Sequence, residues 1–439
     1  MNVIFLAMVL VAFLVTGVRQ IAWVAPAPDA ASPMSALTTA MVDAAGGSVT
    51  LAIGLVGMMA LFLGLMKVAE AGGLLRIIAR TLRPLMVRIF PDVPPEHPAM
   101  GAMILNVSAN VLGLGNAATP FGIRAMQELD TLNRVKGTAT NAMALFLAIN
   151  TSSVTLLPTG VIALRASAGS ADPAGILPTT LFATSLSTLA AFVAVKLFQR
   201  WSPVTADAAA GVAAEPAAVG SGAAASAPLE LSGETGEAAY PAWVSALAFA
   251  AVAALIPLTL LYGDQIGPWV IPGLAVVLLG FGAVRRVRVY EVLVEGARDG
   301  VQVAVRIIPY LVAILVAIAM LRASGTLDAL TRALGPFTSL VGLPADALPM
   351  ALLRPLSGSG AYALLASTIQ DPAIGPDSYT GYLVSTMQGS TETTFYVLAV
   401  YFGAIQVRRI RHTLAAGLVA DVAGVAGAIV ACTYLYGGR

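Results

Sequence analysis

Residues 379–403 read YTGYLVSTMQGSTETTFYVLAVYFG, an apolar segment with a polar centre. About 20 apolar residues suffice for a helix to cross the hydrocarbon core of a bilayer. The stretch from Thr386 to Phe395 places an amide, a carboxylate and several hydroxyls in the middle of such a length. Unwound backbone at membrane depth is tolerated only inside protein or beside a water-filled cavity. The segment therefore predicts a broken transmembrane helix that lines a polar site.

The composition of the whole chain indicates a membrane protein. Of its 439 residues, 58% are hydrophobic and 11% are charged, whereas soluble domains carry about 25% charged residues. The formal net charge of +1 excludes a binder that attracts nucleic acid by a strong positive field. A single cysteine and two histidines leave no disulfide and no zinc or haem set. No phosphate-binding loop or hydrolase motif occurs, so neither an enzyme nor a bound cofactor is predicted.

Apolar windows predict nine crossings and two re-entrant hairpins, and therefore an all-α polytopic membrane protein. The first span is read as retained, while Ala25-Pro26-Ala27 leaves a cleaved signal open. The hairpins are expected over 98–118 and 346–370, and the crossings near 2–18, 48–67, 138–164, 175–198, 241–262, 267–284, 300–322, 379–403 and 412–437.

The chain divides into two membrane halves, 1–200 and 241–439, joined by a stretch rich in Ala, Gly and Pro over 201–240. That composition predicts a flexible linker. Residues 73–84 match 325–336 at a constant offset, and polar interruptions follow in the same order in both halves. Placing the Lys and Arg clusters on the cytoplasmic side of a bacterial inner membrane puts the N-terminus inside and the C-terminus outside. The halves are then inverted repeats, an arrangement typical of secondary transporters with broken helices.

The candidate substrate-binding residues lie in four polar interruptions of the apolar segments. Amides and hydroxyls suit a polar solute, although hydrogen bonds between helices are the alternative. The candidates are Asn106, Ser108, Asn110 and Asn116; Asn150, Thr151 and Ser152; Arg354, Ser357 and Ser359; and Gln388, Ser390, Thr391 and Glu392.

Two charged candidates have more specific expected roles. A guanidinium at membrane depth costs about 2.5–3.5 kcal/mol, so Arg354 needs Glu392 or an anionic substrate as its partner, unless it snorkels to the interface. Glu392 is the candidate ion-coupling residue for Na⁺ or a proton, and a purely structural pair with Arg354 is the alternative. The role of Asp421, in the last span, is left open between a proton site and a pairing partner.

Two motifs resemble a known family. Residues 106–120, NVSANVLGLGNAATP, resemble the signature of spore maturation protein A, while RPLSGSG at 354–360 and MQGSTETTFY at 387–396 resemble that of spore maturation protein B. The chain resembles a fusion of the two, and both belong to the nucleoside-recognition, or Gate, domain group. That group is similar to parts of the concentrative nucleoside transporters and of the ferrous iron permease. The resemblance implies a transporter-like fold more strongly than it implies nucleosides as cargo.

The resulting functional hypothesis is an ion-coupled inner-membrane transporter of a small polar solute, nucleoside-like or anionic. Its partners would be that solute and the lipid bilayer, with a homo-oligomer left open and no nucleic acid expected. The alternatives are a non-transporting scaffold or regulator of envelope or spore maturation, and a lipid flippase.

Overall fold

The predicted all-α class is confirmed by the computed structural model, which describes residues 2–25, 30–113, 118–152, 154–202 and 240–437. Within these ranges no strand is present, and a single parallel bridge joins Thr138 to Arg409. The helices are α1 (Asn2–Ile21), α2 (Pro33–Ala71), α3 (Leu74–Ile89), α4 (Pro98–Val111), α5 (Ala118–Thr131), α6 (Asn141–Ser152), α7 (Thr159–Ser167), α8 (Ile176–Phe198), α9 (Ala242–Val284), α10 (Val289–Ala323), α11 (Thr326–Ser339), α12 (Leu348–Leu353), α13 (Gly358–Gln370), α14 (Tyr379–Ser390), α15 (Thr394–Ala404) and α16 (Thr413–Tyr436).

The helices bury apolar side chains in cores that draw on both halves of the chain. One cluster joins Ile162 and Leu164 of α7 to Leu365 of α13 and Tyr382 of α14. On the outside, α8 and α16 expose large apolar side chains such as Leu189. Among the described residues three helices are long and apolar enough to cross a bilayer, namely α2, α8 and α16.

Two long helices, α2 and α10, pack against each other through glycines. Gly64 of α2 faces Leu293, and Gly300 of α10 faces Ala60, so the helices run antiparallel. A Cβ added at Gly64 would lie 2.8 Å from the Leu293 carbonyl oxygen, and one at Gly300 would lie 2.6 Å from the Ala60 Cα. Small residues allow this close approach of two backbones in a membrane.

Leucine at Gly64 is therefore expected to destabilise the protein by about 1–3 kcal/mol or more, because the added side chain must push α10 away. The measurement is thermal unfolding of the purified protein in detergent, followed by size-exclusion fluorescence. Gly54→Leu is the matched control, since Gly54 lies on the same helix with no atom near its added Cβ. Equal melting curves for the two variants would contradict the packing described here.

A second antiparallel pair is formed by α8 and α16. Gly427 of α16 lies against Ala183 of α8, and Tyr436 donates a hydrogen bond to the Gly175 carbonyl oxygen, just before α8, at 2.6 Å. In sequence, α8 follows the interrupted pair α6–α7, as α16 follows α14–α15. These two helices thus run in opposite directions, and the inverted repeat of the two halves stays a prediction.

The matching segments 73–84 and 325–336 also begin alike. Gly73 and Gly325 both adopt the left-handed backbone conformation, with φ of 86° and 74°, directly before helices α3 and α11. Glycine has no Cβ to disfavour that conformation. The identity of these positions in the sequence therefore has a local structural cause in each half.

The prediction of two spans over 241–262 and 267–284 is wrong. The backbone is one continuous helix, α9, of 43 residues. A helix satisfies its own backbone hydrogen bonds, so the polar Gly263-Asp264 interrupts the apolar run without ending the helix. The orientation of the termini depends on counting 241–284 as two crossings, and it stays a prediction. The flexible linker also stays a prediction, since residues 203–239 lie outside the described residues.

Candidate functional site

The two interrupted helices meet at their interruptions. The first break separates α6, which ends at Ser152, from α7, which begins at Thr159; the second break, 391–393, separates α14 from α15. The backbone N–H of Glu392 donates to the Thr151 carbonyl oxygen at 2.7 Å. One main-chain group exposed by each break thus finds its partner in the other, which joins the two halves at this point.

Arg354 anchors the second break from the turn between α12 and α13. Its side chain is nearly fully buried, and Nη1 donates to Thr393 Oγ1 at 3.0 Å. Nη2 donates to the carbonyl oxygen of Thr391 and lies 3.7 Å from Glu392 Oε2. The guanidinium therefore holds an unwound backbone as well as a carboxylate, and both candidate charges meet in one place.

The two carboxylates near this guanidinium differ in their access to solvent. The Glu392 side chain is 43% exposed, whereas Asp421 of α16 is 4% exposed. Asp421 Oδ2 accepts a hydrogen bond from Thr394 Oγ1 at 2.7 Å. In the described ranges, no three His, Cys, Asp or Glu side chains converge as a metal centre would require.

An amide pair connects the first break to α4. Asn110 Nδ2 donates to Asn150 Oδ1 at 3.0 Å, and Asn150 Nδ2 donates to the carbonyl oxygen of Phe146 at 2.9 Å. Asn150 is buried and Asn110 is half-buried. The structure therefore brings these two predicted site residues together beside the break.

Asn106 holds helices together. Its Nδ2 donates to the Ala118 carbonyl oxygen at 2.8 Å and to the Tyr401 hydroxyl at 3.2 Å. The side chain is completely buried, and Tyr401 packs against Gly122. Asn106 thus braces α4, α5 and α15 from within the helical bundle.

The predicted interruption at residues 106–110 is wrong in detail, because α4 remains helical through Val111. Ser108 Oγ donates to the Ile104 carbonyl oxygen at 2.7 Å, a bond within the helix that needs no unwinding. The chain turns instead at Gly113, where φ is +73°. Of the predicted hairpin over 98–118, α4 occupies Pro98–Val111 and α5 begins at Ala118. That this segment is a re-entrant hairpin stays a prediction.

The remaining hydroxyl candidates are mostly occupied by local bonds. Thr151, Ser152 and Ser390 donate to carbonyl oxygens three residues earlier, and Ser357 accepts from the Gly360 N–H as the cap of α13. Such bonds require no ligand. Ser359 is exposed in the first turn of α13, and Asn116 lies outside the described residues.

Gln388 differs from these hydroxyls, because its Oε1 is buried without a hydrogen bond to any described residue. The neighbouring Gly389 packs against Thr180 of α8 and Pro158 of the first break, and Thr180 Oγ1 also lacks a hydrogen-bond partner in the described ranges. Buried polar atoms are normally paired. Each of these two unpaired oxygens is therefore a group that a polar ligand could satisfy, and Thr180 was not among the sequence candidates.

Arg165, which the sequence does not single out, is completely buried in α7. Nη1 donates to the Pro376 carbonyl oxygen at 2.6 Å, and Nη2 lies 3.0 Å from Asp377 Oδ1. The guanidinium carbon lies 4.2 Å from the centre of the Tyr382 ring. Nη2 also donates to nearby Ser170 Oγ and to the Asp172 carbonyl oxygen, both at 3.2 Å. Its partners in the C-terminal half lie more than 200 residues away in the chain, so the sequence signal for them was a lone arginine in an apolar stretch.

Comparison with known proteins gives the same two-part picture. The family model described as nucleoside recognition, Gate, matches residues 52–168 and 304–408. Spore maturation protein B of Bacillus subtilis is 45% identical over 167 residues, which are 38% of this chain and 93% of that protein. Spore maturation protein A of the same organism is 44% identical over 159 residues, 36% of this chain and 81% of that protein. The matches are consistent with a fusion of the two, and no solved structure matches significantly.

Proposed function

Because the chain belongs to the nucleoside-recognition, or Gate, family, we propose that it is a secondary transporter of a small polar solute. Its solute site would lie between the two halves, where the two breaks, the amide pair and Gln388 converge. The observation that carries this proposal is the contact of the breaks through Glu392 N–H and the Thr151 carbonyl oxygen. Unwound backbone inside a membrane protein is characteristic of transporter binding sites.

The antiparallel packing of α2 with α10 and of α8 with α16 supports a mechanism based on inverted halves. In such transporters, one half rocks against the other around a site near the bilayer midplane. Arg354 would bind a negative group of the solute, and Glu392, which is partly exposed, would take part in coupling to Na⁺ or a proton. A nucleoside-like or anionic solute fits amide, hydroxyl and guanidinium groups in one place.

The solute class can be identified by thermal unfolding of the purified protein with nucleosides, amino acids, dicarboxylates and lipid precursors. A ligand at 100 times its dissociation constant stabilises the folded state by about 2.7 kcal/mol. We expect one class of compound to raise the unfolding temperature of the wild type. The Asn110→Ala and Gln388→Ala variants are expected to lose this stabilisation. A screen without any stabilising ligand, with a well-folded protein, would contradict a solute site here.

Coupling is tested with the identified solute in reconstituted vesicles. Glu392→Gln is expected to reduce uptake driven by an ion gradient at least about tenfold, which corresponds to about 1.4 kcal/mol, because the variant keeps the shape and loses the charge. Glu96→Gln is the matched control, since Glu96 is an exposed glutamate paired with Arg83. Uptake by Glu392→Gln that still follows the ion gradient would exclude Glu392 from coupling.

The names of the two relatives favour a second candidate function, a scaffold or regulator of spore or envelope maturation that does not move solute. It predicts that a ligand or partner binds while no ion gradient drives net solute movement. The vesicle experiment separates the two functions.

A further inference from the structure

One face of α16 meets the second break and the end of α6. Gly417, Asp421 and Gly424 lie four and three residues apart, which places them on the same side of a helix. A Cβ added at Gly417 would lie 2.8 Å from Thr394 Cγ2, and one at Gly424 would lie 2.6 Å from Thr391 Cγ2. The glycines thus let the second break approach the helix backbone, with the Asp421 carboxylate between them.

The Asp421 carboxylate is only half satisfied. Oδ2 accepts a hydrogen bond from Thr394 Oγ1 at 2.7 Å. Oδ1 is buried and accepts no hydrogen bond from any described residue. A buried carboxylate oxygen without a partner is costly in a low-dielectric interior. Asp421 Oδ1 is therefore a buried oxygen atom that can bind a ligand.

The charges around Asp421 do not cancel. The charged group that acts on it is Arg354, from the turn before α13, which also interacts electrostatically with Glu392 of the second break. From α6 and α8 the facing groups are neutral hydroxyls, Thr151 near Gly417 and Ser187 near Gly424. Two carboxylates share one guanidinium, so the cluster carries one excess negative charge when both are ionised.

We propose that Asp421 supplies the ligand oxygen for a monovalent cation, Na⁺ or a proton, at the junction of the two breaks. One such cation cancels the excess negative charge and is bound by Oδ1. This cation site deepens the proposed function. It rests on that function only where the bound cation is called the coupling ion. In this arrangement the charge of Glu392 creates the excess, while Asp421 binds the ion.

The cation is tested directly on the purified full-length protein, without any solute. Unfolding temperature is measured against NaCl, with choline chloride keeping the ionic strength constant, and infrared difference spectra are recorded between acidic and neutral pH. Binding of Na⁺ predicts a saturable rise in unfolding temperature. Binding of a proton predicts a carbonyl-stretch band of a protonated carboxyl group that disappears on raising the pH.

Asp421→Asn is expected to abolish whichever response the wild type shows, or to move its midpoint at least about tenfold. Asp371→Asn is the control, because it removes a carboxylate that is paired with Arg322 near the surface and is expected to leave the response unchanged. If Asp421→Asn does not fold, Asp421→Glu serves instead, with the same shift expected from the displaced carboxylate.

An identical Na⁺ response and identical carboxyl bands in wild type and Asp421→Asn would overturn the inference, as would the absence of both responses in the wild type. A cation response that requires Asp421, together with no solute binding, would preserve the cation site and refute the transporter. Solute uptake with an unchanged cation response in Asp421→Asn would preserve the transporter and refute the cation site at Asp421.

Discussion

Arg165→Leu is expected to destabilise the folded protein by at least about 1–3 kcal/mol, because it removes a completely buried hydrogen-bond donor from the acceptors it satisfies. The guanidinium is completely buried and satisfies the Pro376 carbonyl oxygen and the Asp377 carboxylate. Its loss removes the donor to the Pro376 carbonyl oxygen, while the partly exposed Asp377 carboxylate keeps its hydrogen bonds from Ser170 Oγ and the Ala171 N–H. The measurement is the free energy of unfolding in detergent, or the unfolding temperature where unfolding is irreversible.

Arg322→Leu is the matched control for this prediction. Arg322 forms a pair with Asp371 at 2.6 Å, but its side chain is 49% exposed. Exposed ion pairs contribute about 0–1 kcal/mol, so this variant should unfold close to the wild type. If Arg165→Leu and Arg322→Leu lower the free energy of unfolding equally, the burial of Arg165 adds nothing to its stabilising effect.

Arg354→Lys is expected to reduce solute uptake at least about tenfold, or about 1.4 kcal/mol, although the positive charge is retained. The guanidinium contacts the Thr391 carbonyl oxygen, Thr393 Oγ1 and the Glu392 carboxylate from one planar group. Lysine offers a single point charge and cannot reproduce this geometry. The second break is therefore expected to lose its fixed conformation, and with it the solute site.

Uptake in vesicles is the measurement for Arg354→Lys, with size-exclusion chromatography to verify folding. Arg322→Lys provides the comparison, since it makes the same chemical change at an exposed pair. Wild-type uptake by Arg354→Lys would show that a positive charge alone suffices and that the bonds to the break are dispensable.

The interruptions of the helices could be predicted from the sequence where polar residues coincide with the end of a helix. Thr151 and Ser152 do end α6, and Thr391 and Glu392 do follow α14. These positions could be predicted because a polar group in an apolar run is a local signal. The pairing of Arg354 with Glu392 could also be considered, since the two motifs follow each other in the same half.

Other features depend on contacts that no local pattern reveals. Asn106 and Ser108 look like helix breakers, yet their side chains satisfy carbonyl groups within the bundle, and α4 continues. Gly263 and Asp264 look like a loop, yet α9 continues through them. Polar residues mark both broken and unbroken helices, so the difference between them requires the tertiary structure.

Arg165 and Asp421 show the same limit for the candidate site. The distant partners of Arg165 lie in the loop before α14, and the hydrogen-bond partner of Asp421 is Thr394, the first residue of α15. A lone charge in an apolar segment indicates that a partner exists. Its identity depends on which helices pack together.

The contacts across the two halves also bear on how the protein is made. Chains are synthesised from the N-terminus, and earlier parts fold before later parts exist. Arg165, the Thr151 carbonyl group and the glycine face of α2 find their partners in residues of the C-terminal half. A nascent chain that has inserted only its first half thus lacks the hydrogen-bond donor of the Thr151 carbonyl group and the Asp377 partner of Arg165. Biosynthesis must keep that intermediate hydrated or shielded until α10 and α14 arrive.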